Sequence, residues 1–253
     1  MNPALPGIVA ISFYLLGSYS QVRNLIARTV TRQSDLVRLV LPALIFHGLF
    51  VYSVLDTSSG IDLSFFNVAA LISLTINVAV LLASIREPVH NLYVFVFLIS
   101  ILTVAGCLAV HTLAFSPTAT PRSVSPSLLF HIVVSVVAYS ILTLAACQSV
   151  LVLAVERRIR NRAAIDPVHV LPPLESLEAM LFRFLWAGLA ILTVSIATGF
   201  VFLADKFSEH LSQHHTVLSV ASWVVYASLL AGHTKFGWRG VTTTRWSLIA
   251  FVL

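Results

Sequence analysis

Residues His131–Arg160, HIVVSVVAYSILTLAACQSVLVLAVERRIR, decide what kind of molecule this is. No acidic or basic side chain interrupts the run before Glu156, and Arg157, Arg158 and Arg160 close it. The stretch before Glu156, taken as helix, is roughly 25 residues and ~37 Å long. That exceeds the ~30 Å hydrocarbon core of a bilayer. An oily helix with a charged collar at one end is the signature of a membrane span.

Working outward, similar runs lie near 4–22, 38–56, 65–85, 93–115, 181–204 and 216–234, with a shorter one at 246–253. Turn-forming or charged segments such as DTSSGID, REPVHN and SPTATPRSVSPS separate them. The 253 residues are 58% hydrophobic and 10% charged, whereas soluble domains are about a quarter charged. So much apolar surface has to face lipid. The expected fold is all-α: a polytopic transmembrane bundle of about eight helices, the last one short. It forms a single integral membrane domain over 1–253, with four N-terminal helices in 1–115 and the remainder in 128–253.

The sequence pI of about 9.6 could suggest nucleic acid, but bilayer topology explains the basic residues better. Of 15 Lys and Arg, 13 fall in segments 23–38, 86–92, 156–183 and 235–245, and only Arg122 and Lys206 fall in the alternate segments. Cytoplasmic segments carry the excess of positive charge, so the N-terminus is expected outside. Basic residues follow the first run and none precedes it, the reverse of a secretory signal. The run 246–253 cannot cross a bilayer, which leads to the expectation that a complete final helix is missing. Cys107 and Cys147 form no CxxC or CxxCH, so neither covalent c-type haem nor thiol–disulfide chemistry is indicated. Their different depths also argue against a disulfide.

Histidine is the only ionisable type inside the spans, and intramembrane ionisable groups are costly and usually functional. His47 lies mid-span, and His90, His169 and His233 fall near the inner surface. His111, His131, His210, His214 and His215 gather at the outer one. The lack of intramembrane carboxylates weakens a proton- or cation-coupled transporter. Neutral imidazole suits transition metals, and haem iron takes axial histidines. Two polar stripes at helical spacing begin with outer histidines: His215, Ser219, Ser222, Tyr226, and His131, Ser135, Tyr139. Ordinary helix packing explains each stripe equally well.

The segment quoted first, together with LPPLESLEAMLFRFLWAGLAILTVSIATGF, HHTVLSVASWVVYASLLAG and GWRGVTTTRWSLIAF, resembles the YpjD/HemX-type branch of the CcsA cytochrome c assembly superfamily. The resemblance covers His131 to the C-terminus; the first four helices match it in hydropathy alone. It implies a bacterial inner-membrane protein that handles non-covalent b-type haem. It also implies His131 and His214 as iron ligands, although the polar stripe selects His215. His111 is a further outer candidate. The tryptophan-rich WWD segment of the synthetases is absent, and Ala231 stands where their transmembrane histidine aligns, with His233 two residues on. Haem-lyase activity is therefore not expected, and an accessory role in cytochrome c assembly fits better. Two alternatives stay open. One is a regulatory membrane partner in tetrapyrrole synthesis, touching a cytoplasmic protein through the 156–180 segment. The other is a small-molecule or haem exporter. Lipid and haem are the expected partners, with cytochrome biogenesis proteins or a cytoplasmic regulator beside them. GWRG reads simply as an interfacial anchor.

Overall fold

In lipid every backbone polar group must be satisfied internally, and a helix does this within one segment. The computed structural model describes residues 3–27, 29, 33–58, 60–87, 89–113, 124–160, 172–202 and 214–253, the side chains of 33, 34, 214 and 215 excepted. Among these residues the helices are α1 (Ala4–Ile26), α2 (Gln33–Leu55), α3 (Phe65–Ala83), α4 (Tyr93–Thr112), α5 (Pro126–Arg160), α6 (Leu174–Phe202), α7 (His214–Phe236) and α8 (Val241–Val252). The first seven are long and apolar enough to cross a membrane. Helix α8, with 12 residues, reaches only ~18 Å. His169, His210, Arg122, Arg162 and Lys206 lie outside the described residues.

The chain divides into two compact units, Met1–Ser125 and Pro126–Leu253. In the first, α1 packs on α2 and α4, and α3 packs on α2 and α4. Phe50, Val51, Val54, Ala70, Val104 and Cys107 form its apolar centre. A two-residue hairpin, β1 (Asp56–Thr57) against β2 (Gly60–Ile61), joins α2 to α3. Gly60 adopts φ 127 there, a conformation only glycine takes without strain.

In the second unit α5 packs on α6 and α8, and α7 packs on α6 and α8. Leu142, Leu185, Leu192, Tyr226, Leu229 and Leu230 are among its buried core residues. Lipid offers little hydrophobic driving force between helices, so polar contacts help fix their register. Gln148 Nε2 donates to the Leu177 carbonyl at 2.8 Å, Ser149 to Ser247 at 3.0 Å, and Trp223 Nε1 to Thr193 at 2.8 Å.

Two boundaries differ from the hydropathy reading. Helix α6 starts at Leu174 rather than near 181, because Pro173 supplies the carbonyl that Leu177 N–H uses. Glu175 and Glu178 in that first turn mask the start from an apolar count. Residues from Leu174 to Met180 of the expected 156–180 segment are therefore helical. Helix α8 starts at Val241, five residues before 246. Thr244 bonds back to the Gly240 and Val241 carbonyls, so the threonine run is helical.

The GWRG segment is more than an anchor. Gly237 and Gly240 take φ 69 and φ 64 and reverse the chain between α7 and α8. The Trp238 ring folds back over Gly232, where a Cβ would come within 2.6 Å of three ring atoms. His233 Nδ1–H donates to the Trp238 carbonyl at 2.8 Å, while its ring stacks on Phe182 at 3.4 Å. Gly240 N–H donates to Glu178 Oε1 at 2.9 Å.

Candidate functional site

Hydrogen bonds fix the helix directions in the second unit. Ser135 meets Ser195 while Gln148 meets Leu177, so α5 and α6 are antiparallel. Ser149 meets Ser247 while Glu156 approaches Gly240, so α8 is antiparallel to α5. Ser222 meets Ala250 and Gly232 meets Trp238, so α8 is antiparallel to α7 as well. Helices α5 and α7 thus run the same way. Their N-terminal ends share one end of the unit, with His131 in the second turn of α5 and the backbone of His214 and His215 opening α7.

His131 is half-buried and faces α6. Its Nδ1 lies 3.0 Å from Thr198 Oγ1, and its ring lies against Gly199, where a Cβ would meet Cε1 at 3.1 Å. Ser135 Oγ donates to the His131 carbonyl at 2.7 Å, and the Ser135 and Ser195 hydroxyls are 2.7 Å apart. The side chains of His214 and His215 lie outside the described residues. A neutral imidazole bonded through Nδ1 keeps Nε2 for a metal, so the chemistry at His131 fits an axial haem ligand.

The other histidines have different surroundings. His111, in the first unit, has Nε2 2.9 Å from Asn67 Oδ1. Asn67 is a fully buried hub: it takes the Cys107 thiol at 3.2 Å and donates to the Val54 and Asp62 carbonyls at 3.1 and 3.2 Å. One amide side chain thereby ties together α2, α3, α4 and the hairpin. His47 is fully buried with Nδ1 2.9 Å from Tyr14 Oη, a hydrogen bond inside the bundle. His90 sits in a 3-10 turn, His90–Leu92, before α4. Both cysteines are free and buried. Among the described residues no three His, Cys, Asp or Glu side chains are grouped to hold a metal ion.

The two polar stripes meet. Tyr139 Oη lies 3.3 Å from Ser219 Oγ, and Tyr139, Ser219, Ser222 and Tyr226 line a cavity of about 90 Å³ with Leu142 and Leu192. The hydroxyl of Tyr226, fully buried, has no hydrogen-bond partner among the described residues. The cavity has room for several waters, at ~10–15 Å³ of such volume each. It falls well below the roughly 300–1,000 Å³ of small-molecule pockets. This cavity is therefore too small for haem, and the candidate site is the His131 end of the unit. Sequence reading missed Thr198 and Gly199, since nothing in their spacing links them to a histidine on another helix.

Residues 36–253 match the family described as Cytochrome C assembly protein. The chain is 30% identical to the inner membrane protein YpjD of Escherichia coli K12 over 186 residues, 73% of this chain and 68% of that protein. It is 38% identical over 124 residues to a 28.8 kDa protein in the nifR3-like 5′ region of Azospirillum brasilense, 49% of this chain and 46% of that one. No solved structure matches. The family match begins inside α2, so it reaches over helices that had shown only hydropathy in common. Seven span-forming helices and the similarity to an inner-membrane protein make this a multi-pass inner-membrane protein.

Proposed function

Because this chain belongs to the cytochrome c assembly protein family, we propose that it is a haem-handling factor, accessory to cytochrome c assembly, with non-covalent b-type haem on His131 and His214. The observation that carries this is the seating of His131, with Nδ1 engaged by Thr198 and Nε2 available. His214 opens α7 at the same end of the unit at which α5 starts, and His215 is the alternate on that helix. His111, engaged by Asn67, is the weaker reserve. The basic-residue asymmetry orients the His131 end outward, with the N-terminus on the same side. Bound haem would supply the iron chemistry. The chain supplies the ligating nitrogens.

An absorption spectrum of detergent-purified protein tests the reading. A Soret band is expected, abolished or shifted in His131→Ala and in His214→Ala, and retained in His90→Ala. If both outer substitutions leave haem content and spectrum unchanged, the ligand assignment is wrong. If the wild-type protein carries and takes up no haem, the haem reading itself fails and a regulatory role becomes the better account.

A further inference from the structure

Thr198 has a single hydroxyl proton and two acceptors within reach, the Ser195 carbonyl and His131 Nδ1. The Thr198 hydroxyl donates to the Ser195 carbonyl at 2.8 Å, one turn back on its own helix. Its oxygen can then offer His131 only lone pairs. With that assignment the 3.0 Å approach of His131 Nδ1 has the ring N–H as donor; a Thr198 proton turned to Nδ1 instead would put the ring proton on Nε2. Neutral imidazole carries one N–H, so in the first arrangement Nε2 holds the free lone pair.

Neighbouring hydroxyls reinforce the arrangement. Ser135 Oγ lies 2.7 Å from the His131 carbonyl and 2.7 Å from the Ser195 hydroxyl. Helix α6 is thus pinned to α5 one turn below the ring. Directly beside Thr198, Gly199 lets the ring lie against bare backbone. A Cβ there would stand 3.1 Å from Cε1, 3.7 Å from Nδ1 and 3.8 Å from Nε2, crowding the ring at the carbon between its two nitrogens.

We infer that Thr198 is a positioning residue that holds His131 as the Nδ1–H tautomer with Nε2 presented for iron, and that Gly199 forms the seat for the ring. The tautomer rests on Thr198 donating to the Ser195 carbonyl; the iron-binding consequence rests on the haem reading above. Partners that fix a ligating histidine in this way commonly matter 10–100-fold in metal affinity.

The test uses the full chain carrying ¹⁵N-labelled histidine, in detergent without haem, at alkaline pH where imidazole is neutral. The His131 signals are assigned by their loss in His131→Gln. Wild type and Thr198→Ser should show the Nδ1–H tautomer. Thr198→Val, close to threonine in shape, should move toward Nε2–H while keeping its thermal unfolding curve. Should Val not fold, Thr198→Ala takes its place. Titrated with haem, Thr198→Val should bind roughly 10- to 100-fold more weakly, with Thr198→Ser restoring affinity. An unchanged tautomer in both Thr198→Val and Thr198→Ala overturns the positioning role even if wild type binds haem tightly. The expected tautomers with no haem uptake by wild type would uphold the positioning role and refute the haem reading.

Discussion

Replacing Gly232 with alanine should destabilise this protein, although alanine is the better helix former by about 1 kcal/mol. The reason is Trp238, three of whose ring atoms lie within 2.6 Å of the added Cβ. Carbon contacts settle near 3.5–4.0 Å, so the ring has to retreat by roughly 1 Å. Overpacking of this kind costs ~1–3 kcal/mol. Displacing the ring also stretches the 2.8 Å bond from His233 to the Trp238 carbonyl, worth about 1 kcal/mol. The net loss is about 1–3 kcal/mol in the wild-type background. With Trp238→Ala already present, the same Gly232→Ala change should instead stabilise by up to about 1 kcal/mol, giving a coupling of at least about 2 kcal/mol. Reversible unfolding of the four variants in mixed detergent, followed by near-UV circular dichroism, measures it. Additivity of the two substitutions to within ~0.5 kcal/mol would refute the packing argument.

Further outcomes follow from other contacts. Asn67→Ala leaves the Val54 and Asp62 carbonyls without their donor, and a loss of about 2–3 kcal/mol is expected; it should appear as thiol-dye labelling of Cys107 at lower temperature, and an unaltered labelling profile would contradict the hub role. A double-mutant cycle on Ser149 and Ser247, 3.0 Å apart, should give about 0.6 kcal/mol, and zero coupling would mean the pair does not hold α5 to α8. Single cysteines at Ser116 and Ala163 should be labelled from outside the cell at the first position only. The opposite pattern would invert the topology read from the 13-to-2 split of basic residues.

The spans were legible because their cause is local: uncharged length shows in hydropathy without any tertiary information. Helix starts were less so, since Glu175 and the Thr242–Thr244 run look like loop on the same scale, and only their backbone partners show them to be helical. Of the site, His131 was legible from its position at the head of an oily helix. Its setting was not. Thr198 and Gly199 belong to an unremarkable SIATGF stretch, and their relation to His131 exists only once α5 and α6 lie antiparallel in one register. The polar stripes were legible as a spacing on each helix, but their meeting at Tyr139 and Ser219 around a small cavity was not. For GWRG, the glycines were visible and their job was not, because it depends on the positive φ values and on where the Trp238 ring comes to rest.

Helix lengths carry a last consequence. Helices α3 and α4 have 19 and 20 residues, ~28 and ~30 Å, nearly matching the hydrocarbon thickness with nothing to spare. Helices α5 and α6 have 35 and 29 residues, ~52 and ~43 Å, and can absorb a change by leaning. Within the N-terminal unit, α3 and α4 are the helices that gauge the host. In a bilayer thicker by a few ångströms, mismatch costs fractions of a kcal/mol per ångström, and it falls on α3 and α4 and on the Asn67 hub between them. The His131–Thr198 contact is built instead on α5 and α6, which have length in reserve.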